Sequence, residues 1–564
     1  MAFTGAIPDD WSRCREGRSS YVIGPIRRAV NQHPDALVRL LVALFLAKEE
    51  QLGYDPLVTR LSDGSYVYEL PPDGERPSSV YYRTVALLSQ YHSPSLTGRR
   101  ARVWRVKQVV SPTDPRRVHG TIDRVLKDVL LDATMKTEAE IQQQLFHDID
   151  AFSQDANWRN RDILKEFDQT TIDSIAEALE GGNFRRYFST IVDKHIDFLS
   201  STLSSPSSPV TSPRNRRCLF VYEYFCTPLY SVPTLGEVFD IVKQCLTALR
   251  LMFCAGWVHR DVSPGNILAV RQTPGSPWRV QLSDLEFARR FPDVGAPPSS
   301  QITGTPPFMA CEIHTSKYLL PPPTLERIPP GGKVPVVPRP KGPVVYHYQH
   351  DLESLWWIVL WIVTMRVRQN LPRRFGEAMF LSEAGMRNGL ARTTLFSECI
   401  ADDDMFLESL PPSLESLAVP LENLRYDLYA AYTSRNQEDR INDIGTYSYI
   451  MGRAFTLFFD DVGNSRSEWE SVDLVVEHDA PYPIRTSTVV SGPHPRPSYP
   501  VLTLNNPSPK KRQLQDTDTQ GRPAKRARCS PTVNRPVTRS MTRQDGPITR
   551  SQSRRLLQIR QGRC

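Results

Sequence analysis

His259-Arg260-Asp261-Val262-Ser263-Pro264-Gly265-Asn266 is the stretch on which the reading of this 564-residue chain turns. Its pattern is H-R-D-x-x-x-x-N. An acid and an amide five positions apart in a short loop can be aimed into one cleft. Asp261 would accept the proton of a substrate hydroxyl, and Asn266 would turn back to hold Mg²⁺ on nucleotide phosphates. Three residues recur by chance, so the weight lies in the ordered series of motifs beyond them. Leu282-Ser283-Asp284-Leu285-Glu286-Phe287-Ala288 reads as a short strand ending in an acid placed for a second Mg²⁺ contact, with Glu286 where a glycine is expected. Gly304-Thr305-Pro306-Pro307-Phe308-Met309-Ala310-Cys311-Glu312 comes next, and Asp351-Leu352-Glu353-Ser354-Leu355-Trp356-Trp357-Ile358 then opens an apolar helix.

The upstream half continues the series. Arg124-Val125-Leu126-Lys127-Asp128 reads as a strand carrying a lysine, and Glu138-Ala139-Glu140-Ile141 begins a helical pattern eleven residues later. Leu219-Phe220-Val221-Tyr222-Glu223-Tyr224 reads as a buried strand running into a hinge. These motifs resemble those of protein kinases. With Leu52-Gly53-Tyr54-Asp55-Pro56 and the block His350-Asp351-Leu352-Glu353-Ser354, the chain resembles the fungal-type protein kinase family over roughly residues 35–465. It departs at Arg99-Arg100, where that family tends to keep Arg-Gly.

The resemblance implies an α+β fold of two lobes, a small antiparallel-sheet lobe and a mainly helical one, and it implies ATP and Mg²⁺. It assigns Lys127 to the α- and β-phosphates, Glu138 as that lysine's partner with Glu140 as the fallback, and Asn266 and Asp284 to the metal. Gly98 is all that remains of a G-x-G-x-x-G phosphate loop. Backbone groups near Glu223 and Tyr224 would hold the adenine. Asp351 would accept from the backbone of the catalytic loop. Thr305 matches the substrate-facing threonine of a G-T-P motif, Glu312 the acid ending the activation segment, and Arg260 the charge that would pair with a phosphate on Thr303. Ser263 stands where many Ser/Thr kinases carry a lysine, and Cys311 where proline is usual. Small-molecule kinases of the choline or aminoglycoside type share the Asp and Asn; Arg260 and Glu312 favour a protein substrate instead.

Composition sets outer bounds. A hydrophobic fraction of 40% suits a globular protein, while the 48 prolines cluster in segments such as Ser200–Pro213 and Pro321–Pro343 that read as insertions. The nine cysteines are scattered without a C-x-x-C pair, which argues against a zinc or disulfide framework and for a reducing intracellular compartment. No signal peptide is visible, and neither Leu40–Ala47 nor Leu355–Val363 is long enough to span a bilayer, so no membrane association is expected. The formal charge of +7 is unevenly spread: residues 507–564 hold 15 Lys and Arg against three acids, a net +12, which leaves −5 for the rest.

The chain thus reads as four regions: residues 1–94, an extension packing on the small lobe; 95–232, the small lobe with a helical and Ser/Pro-rich insertion; 233–480, the large lobe; and 481–564, a disordered basic tail. Helical patterns are expected over 35–51 and 160–200, and strands near Ser65–Leu70 and Val80–Leu87. In the tail, Lys510-Lys511-Arg512 and Lys525-Arg526-Ala527-Arg528 resemble a bipartite import signal, implying a nuclear import receptor as partner of 510–528 and a nuclear or nucleocytoplasmic location. Nucleic-acid contact through these arginines is the weaker reading, because no aromatic residue interleaves them after Tyr499. The function expected is phosphoryl transfer from ATP to a protein hydroxyl, Ser or Thr. The competing readings are a pseudokinase scaffold and a nuclear binding protein acting through its tail.

Overall fold

The computed structural model describes residues 55–476, apart from 75, 93–99, 199–214, 274, 293–303, 322–339, 341, 382–388 and 401–403, together with five positions between 38 and 47. Gly98, Thr303 and the whole of 481–564 therefore lie outside the described residues, and of the helix expected over 35–51 only Val38, Val42, Phe45 and Leu46 are described as helical. The chain divides into residues 1–494 and 495–564, and the described residues all belong to the first unit.

A seven-stranded antiparallel sheet forms the small lobe, in the order β1-β2-β3-β4-β5-β7-β6. Its strands are β1 (Val58–Arg60), β2 (Tyr66–Leu70), β3 (Val80–His92), β4 (Arg100–Val109), β5 (Arg124–Asp132), β6 (Ile191–Phe198) and β7 (Asn215–Tyr222). The strands before residue 95 thus continue the same sheet: β3 pairs with β4 from Tyr81↔Val109 to His92↔Arg100. Tyr68, Leu70, Tyr82, Val106, Leu126, Leu219 and Val221 bury one face of it. Strand period puts Leu126 and Lys127 on opposite faces, so the apolar face of β5 leaves Lys127 pointing the other way.

Helix α1 (Glu138–Gln154) follows β5 and lays Ile141, Leu145, Ile149 and Phe152 into the main core. A helical insertion then runs through α2 (Gln169–Leu179) and short 3₁₀ turns as far as Tyr187. Two sequence expectations need correcting here. The insertion belongs to the large lobe: Trp158, Leu164, Ile172, Ile175 and Phe184 share one core with the large-lobe helices. An amphipathic helix reveals that it has a buried face and not what buries it. The helical pattern expected to residue 200 ends early, because Ile191–Phe198 is strand β6. Ile191 and Ile196 both pack on the cluster of Val129, Cys218 and Phe220, although an odd spacing should put them on opposite faces. A bulge between Ile191 and Asp193 adds the residue that restores the face, and it hides the alternation from the sequence.

The large lobe is built on α3 (Leu235–Cys254) and α5 (Tyr348–Met365). Every residue of α5 but its last is buried, which is why its apolar residues, including Trp356, Trp357 and Trp361, run all the way round. Around them lie α4 (Cys311–Thr315), α6 (Asn370–Phe380), α7 (Leu390–Ser397), α8 (Asp404–Leu407), α9 (Ala418–Gln437), α10 (Phe455–Asn464) and α11 (Arg466–Trp469). Short strands β8 (Thr227–Pro228), β9 (Trp257–Val258), β10 (Ile267–Val270), β11 (Arg279–Leu282) and β12 (Arg289–Arg290) line the side facing the sheet, paired as β11-β10-β8 and β12-β9. Among the described residues no helix is long and apolar enough to cross a membrane.

The segment 465–475 closes the large lobe. Trp469 and Leu474 are buried, Leu235 and Gly236 N–H donate to Val472 and Glu470 carbonyls, and Leu474 N–H donates to Pro233. Arg366 ties it further, its guanidinium donating to the carbonyls of Val475, Leu229 and Val232. At the junction of the lobes, Gln142 of α1 donates to Ser189 O at 2.7 Å and accepts from Ile191 N–H at 3.0 Å, while Ser189 N–H donates to Leu282 O at 2.9 Å.

Candidate active site

The cleft between the sheet and the large lobe gathers the singled-out residues around Lys127. That residue sits mid-strand in β5, with Val103 and Phe220 as its register partners on either side. Its Nζ lies 2.7 Å from Glu138 Oε2, 2.6 Å from Asp284 Oδ1 and 3.5 Å from Glu286 Oε2. Burial disfavours the ammonium, but the carboxylates of Asp284, Glu138 and Glu286 outweigh it and hold the lysine pKa well above its ordinary value. Glu138 is itself pushed up by burial, with Lys127 opposing the shift.

Local sequence explains why Glu138 and not Glu140 meets the lysine. Thr137 is the N-cap of α1; its hydroxyl accepts from Glu140 N–H at 3.2 Å, and Glu140 Oε2 accepts from Thr137 N–H at 2.6 Å. This reciprocal box occupies Glu140 and leaves Glu138, at the first helical position, to face the cleft. Glu138 Oε1 accepts from Leu285 N–H at 3.2 Å, so one carboxylate joins β5, α1 and the segment after β11. Asp284 adopts φ 62°, ψ 53°. That left-handed conformation is uncommon outside glycine and least rare for Asp and Asn.

The loop 259–266 leaves β9 and returns as β10. Asp351, in the first turn of α5, holds it from below: Oδ2 accepts from His259 N–H at 2.7 Å, Oδ1 from Arg260 N–H at 2.9 Å and from Tyr346 Oη at 3.0 Å. His259 Nε2 lies 3.0 Å from Ser283 O and its Nδ1 3.3 Å from Asp261 N–H, the pattern of a neutral imidazole protonated on Nε2. Burial depresses its pKa, consistent with that form. Asn266 Nδ2 donates to Asp261 O at 2.8 Å, and Asn266 O accepts from Ser283 N–H and Oγ, both at 3.0 Å, coupling the loop to the segment that carries Asp284.

Asp261 is 2% exposed. Thr305 Oγ1 donates to its Oδ1 at 2.8 Å, and its buried Oδ2 has no hydrogen-bond partner among the described residues. Burial and then the charge of Asp284 push its carboxyl up to about 7, with the Thr305 hydroxyl opposing. Arg260, at φ 73°, lays its guanidinium 5.5 Å from the Tyr346 ring centre. Gly304 has φ 126°, and a Cβ there would lie 3.3 Å from Arg260 O.

Glu312 is fully buried. Its Oε1 accepts from Leu319 N–H at 2.7 Å and Asn436 Nδ2 at 2.6 Å; its Oε2 lies 3.0 Å from His350 Nε2 and 3.7 Å from His347 Nε2. Burial pushes the carboxyl up, but the two imidazoles outweigh it and bring the pKa down to about 2. Cys311, where proline was expected, uses its N–H to donate to Glu353 Oε1 at 2.8 Å. Proline has no N–H to donate there. Sequence reasoning missed His347, His350 and Asn436 as partners of Glu312, and it noticed Glu286 only as a lost glycine. The His-x-x-His pair at the start of a buried helix was the available signal for the first set.

Glu223 and Tyr224 lie in the turn from β7 to β8, beside the cleft; Glu223 N–H donates to Thr190 O at 3.0 Å and Phe225 N–H to Asp123 O at 3.2 Å. The connection between β3 and β4, which includes Gly98, lies outside the described residues. Lys127, Glu138, Asp261, Asn266, Asp284, Thr305 and Asp351 are thus joined through direct contacts or one intervening residue.

A family model described as fungal protein kinase matches residues 14–363. Over 116 residues the chain is 28% identical to the interferon-induced, double-stranded RNA-activated protein kinase of Rattus norvegicus, covering 19% of this chain and 21% of that protein. Over 82 residues it is 35% identical to calcium-dependent protein kinase 5 of Plasmodium falciparum (isolate 3D7), 14% of each. The chain therefore spans about a fifth or less of the length of these curated relatives. With more than half its length matched and the motif residues assembled in one cleft, the chain belongs to the fungal protein kinase family.

Proposed function

We propose that the protein transfers the γ-phosphoryl group of ATP to a serine or threonine hydroxyl of a protein substrate. The observation that carries this reading is the Lys127–Glu138–Asp284 cluster lying one short segment from the loop of Asp261 and Asn266. Thr305 holds Oδ1 of Asp261, which leaves Oδ2 as the acceptor for the substrate hydroxyl. As the hydroxyl oxygen bonds to phosphorus, its proton passes to that carboxylate and the bond from phosphorus to the β-phosphate oxygen breaks, releasing ADP. Proton acceptance of this kind is typically worth about 10²–10⁴ in rate. Lys127, oriented by Glu138, holds the phosphates.

The residues present suit Mg²⁺: a carboxylate at Asp284 and the amide oxygen of Asn266 are hard oxygen donors. Bound there, the ion would neutralise charge on the transferring phosphoryl group. Ser263 contributes no cation near the γ-phosphate, so a slow turnover is expected. Serine/threonine preference rests on Thr305 and on the family.

The test is transfer of label from ATP, with Mg²⁺, to the protein itself and to a generic basic protein. Asp261→Asn should lower the rate at least about 100-fold; an unchanged rate would refute the assignment. For the basic tail, we propose that 510–528 engages a nuclear import receptor. A fluorescent fusion lacking 507–564 should lose nuclear accumulation, and retention of it would refute that part.

A further inference from the structure

We propose that the apolar helical segment at residues 38–46 docks on the sheet of the same chain, across the open end of β3 on the face turned away from Lys127. The inference rests on the sheet and on the sequence that precedes it, and it is independent of the kinase reading. It starts from two uncovered apolar surfaces within one unit of the chain. Between Leu37 and Ala47 the only charged residue is Arg39, and a helix apolar on all sides calls for burial. Val38, Val42 and Phe45, at i, i+4 and i+7, form one stripe with Leu46 beside it, yet all four are between 48% and 86% exposed.

The second surface is the far half of β3. Strand β2 pairs with β3 only from Val80 to Arg83, so from Val85 onward that edge has no strand partner among the described residues. Val85, Leu87 and Leu88 are exposed there. A long apolar edge left open invites pairing with other chains, and covering it with a helix is one way in which proteins prevent this. Beside the edge lies a groove of about 480 Å³, with Tyr66, Leu87 and Trp104 as its apolar wall and Asp63, Arg83 and Lys107 as its polar side. The Tyr66 and Trp104 rings are 5.9 Å apart between centres. Such a wall suits an apolar stripe that carries one aromatic ring, Phe45.

What selects this occupant is the place where the chain joins the sheet. Asp55 is ion-paired with Arg217 of β7, which also binds Asp128 of β5 at 2.8 Å. Leu87 is the register partner of Trp104, and Trp104 that of Leu126. Strand period puts Asp128 on the face of Leu126 and Arg217 on the face of Leu219, and those two leucines share one cluster. Asp55 therefore meets the sheet on the face that carries Leu87 and Trp104. From β7 across β5 and β4 to β3 is three strand spacings, about 14 Å. The nine residues from Leu46 to Asp55 can extend about 30 Å. The stripe is thus tethered within reach of the open edge and on its side of the sheet, an effective concentration that no separate chain has.

The experiment puts the photo-crosslinker benzoylphenylalanine in place of Phe45 in the full chain. On irradiation it should attach within the same chain to residues 84–92, Tyr66 or Trp104, read by mass spectrometry of the band that runs as a single chain. Phe45→Asp and Leu87→Asp should each lower the melting temperature by about 2 °C or more, and the double variant should melt no lower than the weaker of the two. Phe45→Ala, which adds no charge, should shift the melt in the same sense and serves if the aspartate variant fails to fold. Attachment only to a second chain, attachment elsewhere in the same chain, no attachment, or additive shifts in the double variant would each overturn the proposal. So would binding of wild type to vesicles of phosphatidylcholine and phosphatidylserine that Phe45→Asp abolishes, since the stripe would then belong to a bilayer.

Discussion

Glu138 and Glu140 stand two positions apart and do different work, and the difference can be tested separately. Thr137→Ala removes the N-cap of α1 and should cost about 1 kcal/mol of stability by urea denaturation. The Lys127–Glu138 contact should survive it. The T-x-x-E box was present in the sequence as Thr137-Glu138-Ala139-Glu140, so the choice between the two acids was legible there. Glu312 was legible as an acid and not as a member of a buried trio, because residues 347 and 350 reach it only through the fold. Its folded pKa of about 2 lies below the ordinary 4.5, so its stabilisation is complete above pH 4.5 and is lost as pH falls through about 2. A shift of that size corresponds to about 3 kcal/mol. The stability gap between wild type and Glu312→Gln should therefore narrow from pH 4.5 toward pH 2. A gap constant over that range would contradict the assignment.

Among the elements, the helices that feed and support the loop 259–266 were the clearest in the sequence. The apolar periodicity of Val238–Cys254 and the unbroken apolar run after Asp351 leave little room for another reading. Strand β6 was not legible, since a bulge breaks the alternation that identifies a strand. The start of α3 carries a constraint that the sequence does not advertise. A Cβ on Gly236 would lie 2.9 Å from Glu470 O, a backbone atom. Gly236→Ala should destabilise the protein by about 1–3 kcal/mol through that clash. A neutral result by chemical denaturation would mean that the 465–475 segment yields freely.

At the scale of the whole molecule, the order of the motifs along the chain was enough to read two lobes and one cleft. It did not reveal that the insertion between α1 and β6 completes the large-lobe core, because apolar helix faces carry no address. Nor did it show how the large lobe is closed. Trp469 and Leu474 are buried, and Arg366 spends its guanidinium on three carbonyls. A chain ending at residue 476 should melt within a few degrees of the full-length protein. One ending at 464 forfeits a buried tryptophan, worth about 3–5 kcal/mol, along with the Arg366 bonds to Val475, and should fail to give a cooperative melt. Equal melting temperatures would refute this closing role.

The chain of contacts Gln142–Ser189–Leu282 has a consequence for how such a molecule can be switched. It fastens the helix that bears Glu138 to the strand that ends two residues before Asp284. Swinging that helix outward, so that Lys127 loses its acid, would break the two hydrogen bonds of Gln142, worth about 1 kcal/mol each, which leaves the displaced state at about a few molecules in a hundred. The resting cleft thus stays cocked, and an inhibitor acting by helix displacement would have to supply that energy from its own binding.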